Sequence, residues 1–284
     1  MHDFKVGVIV DSFRLDIFEG IKKASQMGAE GIQIGAVEGE MDPDNLTTSK
    51  RKELSDLIKS CGLSVSALCG DLGGHGFENA EDNIWKIEKS KRIIDLALDL
   101  DCNIVTTHIG VIPEDPSSPK RHILQAACEA LGDYAVKSNA FFAIETGPEK
   151  SDTLKSFLQR LDTNGVKVNM DPANLVMVTD EDPVKSVYVL KDHIVHTHVK
   201  DGIMLKKTDP EIIYNYFAEG GIEDLHLEEY FLETPLGEGS VDFDAYFDAL
   251  ENIGYKGYLT VEREVGDDPV EDIIKAVRFI KERI

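Results

Sequence analysis

Four residues stand where an apolar run ends and could act together. Glu145 closes Phe141-Phe-Ala-Ile-Glu145, and Asp171 closes Val166-Lys-Val-Asn-Met-Asp171. His198 lies in Ile194-Val-His-Thr-His198, and Glu262 closes Gly257-Tyr-Leu-Thr-Val-Glu262. Three carboxylates and one imidazole suit Mn²⁺, Mg²⁺ or Co²⁺, and Zn²⁺ is compatible. A cation so held, with coordination positions open, takes two neighbouring oxygens of a sugar, such as a carbonyl and the adjacent hydroxyl. It polarises the carbonyl and acidifies the C–H beside it. One carboxylate can then remove that proton and a second return it from the other face. Glu145 and Glu262 are the candidates for this pair. His196 and His198 alternate with Val195, Thr197 and Val199, so both rings point to one side of a strand. His198 is nearer the end and is the expected ligand.

Each residue also has an ordinary reading. A strand-end Glu can cap a helix or join an ion pair, Asp171-Pro-Ala-Asn174 can be a plain turn, and Lys200 can pair with Asp201 in solvent. Four such explanations at four strand ends are less economical than one shared site.

The elements that must position them alternate. Strands are expected at Phe4–Val10, Gly31–Gly35, Ser64–Leu68, Asn103–Thr107, Phe141–Ile144, Val166–Met170, Ile194–Val199 and Gly257–Val261. Several are continuous β-branched runs, the pattern of parallel strands covered on both faces. Between them lie helical periodicities: Leu15–Met27 after an Asp11-Ser12 cap, Thr47–Ser60 stopping at Gly62, Ala80–Asp99, Lys120–Lys137, Asp152–Leu161, Val184–Leu190 and Phe243–Ile253, with Val270–Ile284 last. Eight strand–helix units predict an α/β fold closed as a (β/α)₈ TIM barrel, one domain over 1–284. In such a barrel the strand ends meet at one mouth, so Glu145, Asp171, His198 and Glu262 would converge from consecutive staves. Residues 202–235 break the rhythm with an acidic stretch rich in aromatics. They are expected to form a partly helical lid, an insertion after strand 7. Glu38, just past strand 2, and the glycine-rich loop holding His75 also lie at strand ends. No G-x-G-x-x-G follows strand 1, which removes the usual reason to expect a dinucleotide there.

Composition narrows the partners. The 284 residues carry 53 acidic against 30 basic side chains, a formal charge of −23. Nucleic-acid affinity rests on Lys and Arg, and anionic membranes repel such a surface, so neither is an expected partner. None of the four cysteines forms a C-x-x-C pair, and the first residues show no signal-peptide pattern. The expectation is a cytoplasmic enzyme with reduced thiols and a small carbohydrate substrate.

At these residues the chain resembles the sugar phosphate isomerase/epimerase superfamily, xylose isomerase-like TIM barrels related to ketose 3-epimerases, inosose dehydratase and endonuclease IV. The carriers are Ala143-Ile-Glu145, Asp171-Pro-Ala-Asn174, His196-Thr-His198-Val-Lys200-Asp201, Gly237-Glu-Gly239 with Val241-Asp-Phe243, and Gly257-Tyr-Leu-Thr-Val-Glu262. The resemblance implies that Glu145, Asp171, His198 and Glu262 bind the metal and that the two glutamates shuttle a proton. It places His108 and His75 in the pocket and Lys200 near a substrate oxygen or phosphate. The implied activity is a metal-dependent isomerase or epimerase of a sugar or sugar phosphate. A dehydratase of a polyol ketone such as an inosose is the alternative, and an abasic-site endonuclease ranks below it. Asn174 stands where ketose 3-epimerases and endonucleases IV carry a histidine. Asp224-Leu-His226 has the form of an endonuclease ligand pair but lies too far upstream of Gly237. Relatives often pair through the barrel helices, so a homodimer is one expectation.

Overall fold

In a computed structural model, which describes residues 3–284, eight parallel strands close into a barrel. They are β1 (Lys5–Ile9), β2 (Gly31–Gly35), β3 (Ser64–Cys69), β4 (Ile104–Thr107), β5 (Phe141–Glu145), β6 (Val166–Met170), β7 (Ile194–Val199) and β10 (Tyr258–Val261). The order around the barrel is β1-β10-β7-β6-β5-β4-β3-β2. Val6, Val8, Ile32, Ile34, Val105, Phe142, Val168 and Leu259 are fully buried, as strands covered on both faces require. Helices α1 (Ile17–Gln26), α2 (Thr48–Ser60), α3 (Asn83–Asp99), α4 (Pro119–Lys137), α5 (Ser151–Leu158), α7 (Pro183–Leu190), α9 (Phe243–Asn252) and α10 (Pro269–Lys281) follow the barrel strands.

One expectation is corrected here, and one ordinary reading is set aside. The cap of α1 is Asp16, whose side chain accepts the N–H groups of Phe18 and Glu19. Asp11 instead opens a 3₁₀ turn, and its carboxylate accepts the Gly35 N–H at 2.8 Å, tying the end of β1 to the end of β2. The Asp171-Pro-Ala-Asn174 stretch is not a plain turn. It is a short helix, α6 (Pro172–Asn174), capped by Asp171 and running into a π-helical turn at Leu175–Thr179. Proline at the first helical position suits that start, since its missing N–H would have no intrahelical partner.

The insertion after β7 has a skeleton of its own. Strand β8 (Asp201–Met204) leaves β7 with Lys200 alone between them, and pairs antiparallel with β9 (Phe231–Thr234). Between them, α8 (Pro210–Ala218) is capped by Asp209. Asp201 anchors the base. Its carboxylate accepts the backbone N–H groups of Gly202, Gly237, Gly239 and Val241 at 2.9–3.1 Å. The turn needs glycine twice: Gly237 has φ +86°, and a Cβ on Gly239 would sit 2.1 Å from Asp201 Oδ1. Asp201→Ala leaves these buried donors without an acceptor. It is expected to destabilise the chain by on the order of 3 kcal/mol, read as a lower urea midpoint.

Candidate metal and active site

Barrel register sets the site. Glu145 is opposite Asn169, Asn169 opposite His196, and His198 opposite Thr260. The last residue of β5, the residues just past β6 and β10, and the inward side of β7 therefore meet at one end. One donor atom from each of Glu145, Asp171, His198 and Glu262 lies within 4.8 Å of every other. His198 Nδ1 is 3.2 Å from Glu262 Oε2 and 3.5 Å from both Glu145 Oε1 and Asp171 Oδ2. Asp171 Oδ2, His198 Nδ1 and Glu262 Oε2 are buried and make no hydrogen bond. Buried polar atoms are normally satisfied. Three unsatisfied atoms aimed at one point fit a cation of the kind their donor set favours.

The surroundings hold these donors in place. His198 Nε2 lies 3.1 Å from Gln33 Oε1, which can only accept, so the proton sits there. With Nε2 protonated in either charge state, a bound cation would take the place of the second proton, at Nδ1. Thr260 Oγ1 donates to His196 Nε2, His196 Nδ1 donates to Asn169 Oδ1, and Asn169 Nδ2 donates to Glu145 Oε2. Burial and the neighbouring His198 drive His196 well below its ordinary pKa, which keeps it neutral and able to make both bonds. His196 is thus a support behind the carboxylate. Asn174 Nδ2 donates to Glu145 Oε1 at 3.1 Å.

Electrostatics favour an ionised site. For His198, burial opposes charge, but Glu262 and Glu145 outweigh it and hold the ring well above its usual value. For Glu262, burial raises the carboxyl, and Lys200 and His198 bring it below the usual range. Lys200 is 4% exposed, with its ammonium on Glu264, 3.3 Å from Glu262 and 3.9 Å from Glu233. The ordinary reading of Lys200, a solvated pair with Asp201, does not hold, because the Asp201 carboxylate accepts backbone donors instead. Glu233, from β9, also accepts from Arg263 Nη1 at 2.7 Å and from the N–H of Glu264, which ties the insertion to the loop after β10.

A cavity of about 280 Å³ opens above the four donors. Its wall includes Glu145, Glu262, His108, Asn174 and Lys200, with Met177, Ile213, Tyr214, Phe217 and Phe231 from the π turn and the insertion. His108 donates through Nδ1 to Asp71 Oδ2 at 2.8 Å, and its Nε2 is 3.7 Å from Glu145 Oε1. Burial opposes charge on this ring, but Glu145 and Asp71 push it up to about 10.

Two expected pocket residues lie elsewhere. Glu38 is exposed at the start of a 3₁₀ turn and does not line the cavity. His75 is 45% exposed and packs toward the insertion, 3.7 Å from Glu219 and 6.5 Å, ring to ring, from Tyr214. Its neighbours Gly73 and Gly74 line the cavity instead. Asp224 and His226 sit in the loop of the insertion, outside the four-donor cluster. Sequence reasoning missed Gln33, Asn169 and Asp71. The first two carried a signal, each being a polar side chain inside an apolar strand.

One buried carboxyl near this site has a measurable signature. Burial pushes Glu149 up to about 8, and its Oε2 has no hydrogen-bond partner. The folded chain therefore binds a proton there that the unfolded chain releases above its ordinary value of 4.5. Stability contributed by the neutral form is full below that value and falls as pH rises toward about 8. Glu149→Gln should remove this slope, so that the variant gains on the parent in urea unfolding as pH is raised from 5 to about 9.

The comparisons agree with this architecture. L-ribulose-5-phosphate 3-epimerase UlaE of Shigella boydii is 23% identical over 94% of this chain and 89% of its own length. Inosose dehydratase of Clostridium botulinum is 29% identical, over 49% of this chain and 45% of its own. A xylose isomerase domain protein from Planctomyces limnophilus superposes with a TM-score of 0.78 at 23% identity, covering 98% of this chain and 96% of the other. The family model described as xylose isomerase-like TIM barrel matches residues 21–283. With a closed eight-stranded parallel barrel and a match over nearly its whole length, the chain belongs to the xylose isomerase-like TIM barrel family.

Proposed function

We propose that the chain is a divalent-metal-dependent isomerase or epimerase of a sugar or sugar phosphate, with 1–284 as one domain and 202–235 as its lid. The observation that carries this reading is the meeting of three unsatisfied buried donor atoms with Glu145 beside an open cavity. The resemblance over most of both chains to an L-ribulose-5-phosphate 3-epimerase supports it. Glu145, Asp171, His198 and Glu262 hold the ion, which when bound polarises a substrate carbonyl and acidifies the neighbouring C–H. Mn²⁺, Mg²⁺ and Co²⁺ fit the donor set best.

Glu145 and Glu262 approach the cavity from strands separated by β6 and β7. That separation lets one carboxylate take a proton from the carbon and the other return one from a different direction. Asn169 and Asn174 fix the two oxygens of Glu145. Lys200 keeps Glu262 ionised and ready to accept. His108, charged against Asp71, is placed to steady a substrate oxygen at the cavity wall. The lid side chains Tyr214, Phe217 and Phe231 limit water above the reacting carbon. The cell compartment that suits such a reaction and these four unpaired thiols is the cytoplasm.

The test is solvent exchange. In D₂O with Mn²⁺, ketoses and their phosphates are screened for deuterium at the carbon beside the carbonyl. Metal-dependent wash-in at that carbon, with a new diastereomer or aldose–ketose isomer, is the expected result. Absence of exchange across the panel would sink the reading. The second reading, loss of water from a polyol ketone, rests on the partial match to inosose dehydratase. It shares the proton abstraction and would show itself by an ultraviolet-absorbing enone product.

A further inference from the structure

The cavity that would receive the substrate has an unusual balance of walls. Five carboxylates line it: Asp71, Glu145, Glu233, Glu262 and Glu264. Against them stand Lys200 and His108. Even with His108 protonated and a dication bound, the lining remains net negative. No arginine lines it. Lys200 is already ion-paired, since its buried ammonium donates to Glu264 and lies 3.3 Å from Glu262 and 3.9 Å from Glu233. Two backbone donors near the cavity are engaged as well. Gly73 N–H donates to Asp71 Oδ1, and the first turn of α8, at the rim, donates from Glu211 to Asp209. Much of the remaining wall is apolar, including Met177, Val178, Ile213, Phe217 and Phe231, while Asn174 and Tyr214 add polar groups.

We propose that the substrate end lying against this wall is uncharged and apolar, so that the cavity selects an unphosphorylated carbohydrate, and among these a deoxy sugar. This rests on the carbohydrate reading above and departs from what the name of the L-ribulose-5-phosphate 3-epimerase relative would suggest. A phosphate brings roughly −1.5 to −2 charge at neutral pH. Here it would enter a cavity of net negative lining whose one ammonium is already ion-paired with carboxylates, and a buried charge without an opposing partner is strongly disfavoured. A terminal methyl in place of a hydroxymethyl would suit the apolar side chains of Ile213 and Phe217.

The experiment uses three ligands that differ only at that end: a ketohexose, its 6-deoxy analogue and its 6-phosphate. Binding to the Mn²⁺-loaded full chain is measured by calorimetry, and deuterium wash-in is followed separately. The 6-deoxy sugar should bind about fourfold more tightly than the parent, the value of one buried methylene-sized group. The phosphate should bind about 100-fold more weakly or worse, as expected for an unpaired buried charge. Glu264→Gln, which releases one contact of Lys200, should narrow the gap between parent and phosphate by about tenfold. A phosphate that binds as well as the parent overturns the proposal, and so does failure of both neutral sugars to bind. Neutral sugars that bind in this order without exchanging deuterium would defeat the epimerase reading and leave the selectivity standing.

Discussion

Glu145→Gln is expected to lower kcat/KM for carbon–hydrogen exchange by about 10³-fold or more, within or above the span attributed to a positioned general base. The substitution keeps an oxygen at the position of Oε1 and removes the charge that accepts the proton. Both Glu145 oxygens now accept amide donors, Oε1 from Asn174 at 3.1 Å and Oε2 from Asn169 at 3.0 Å, so the glutamine nitrogen meets one of these donors whichever way it turns. Metal affinity should fall far less than turnover. Asn169→Ala is the informative partner. Asn169 touches no substrate; it holds Glu145 Oε2 at 3.0 Å and His196 Nδ1 at 2.9 Å. Residues that support a metal ligand from behind typically matter by about 10–100-fold. Wash-in rates for the two variants should differ by at least an order of magnitude. A Glu145→Gln protein retaining more than a tenth of parental exchange would remove Glu145 from the chemistry.

Saturating Mn²⁺ should raise the melting temperature by about 5 °C, and Asp171→Asn should erase that rise. A ligand present at about 100 times its Kd stabilises by about 2.7 kcal/mol, and a chain of this size gains roughly 2 °C per kcal/mol. Asp171 is the right residue to change because its two oxygens do different work. Oδ1 accepts the Asn174 N–H at 2.8 Å and starts α6, whereas Oδ2 is unsatisfied and points at His198. Asparagine can keep the cap and loses only the charged donor. Metal-free parent and variant should therefore melt within a few degrees of one another and separate once Mn²⁺ is added. Equal metal-dependent shifts in both proteins would mean that the ion binds elsewhere.

The barrel was legible because its strands are short apolar runs at regular intervals, and the four donors because each is polar at the end of such a run. Glu38 and His75 show where this rule stops. Position past a strand end says that a residue is near the mouth, not which way its loop turns. The chain after β2 turns outward through a 3₁₀ turn and leaves Glu38 in solvent. His75 faces Glu219 on the far side of the insertion, a contact between segments too distant in sequence for local pattern to reveal. The cavity wall made by Ile213, Phe217 and Phe231 was hidden likewise. A lid was expected over 202–235, but its pairing of Asp201 with Thr234 depends on Asp201 collecting backbone donors from a glycine turn beyond its end. Lys200 invited pairing with its neighbour Asp201, and only the fold shows that acid turned the other way.

The arrangement at Asp201 has a consequence for how this chain can be altered. The strand bearing His198 runs on, through one residue, into the arm whose two feet are clamped together at Asp201 and Thr234. Residues 205–230 run between those feet, with side contacts such as Lys120–Glu211 and His75–Glu219. Their length weighs little on the four-donor cluster, since doubling a loop between fixed ends costs only about 0.6 kcal/mol. Under the proposed function, the lid that would meet the far end of a sugar is expected to tolerate exchange while the four donors stay in register.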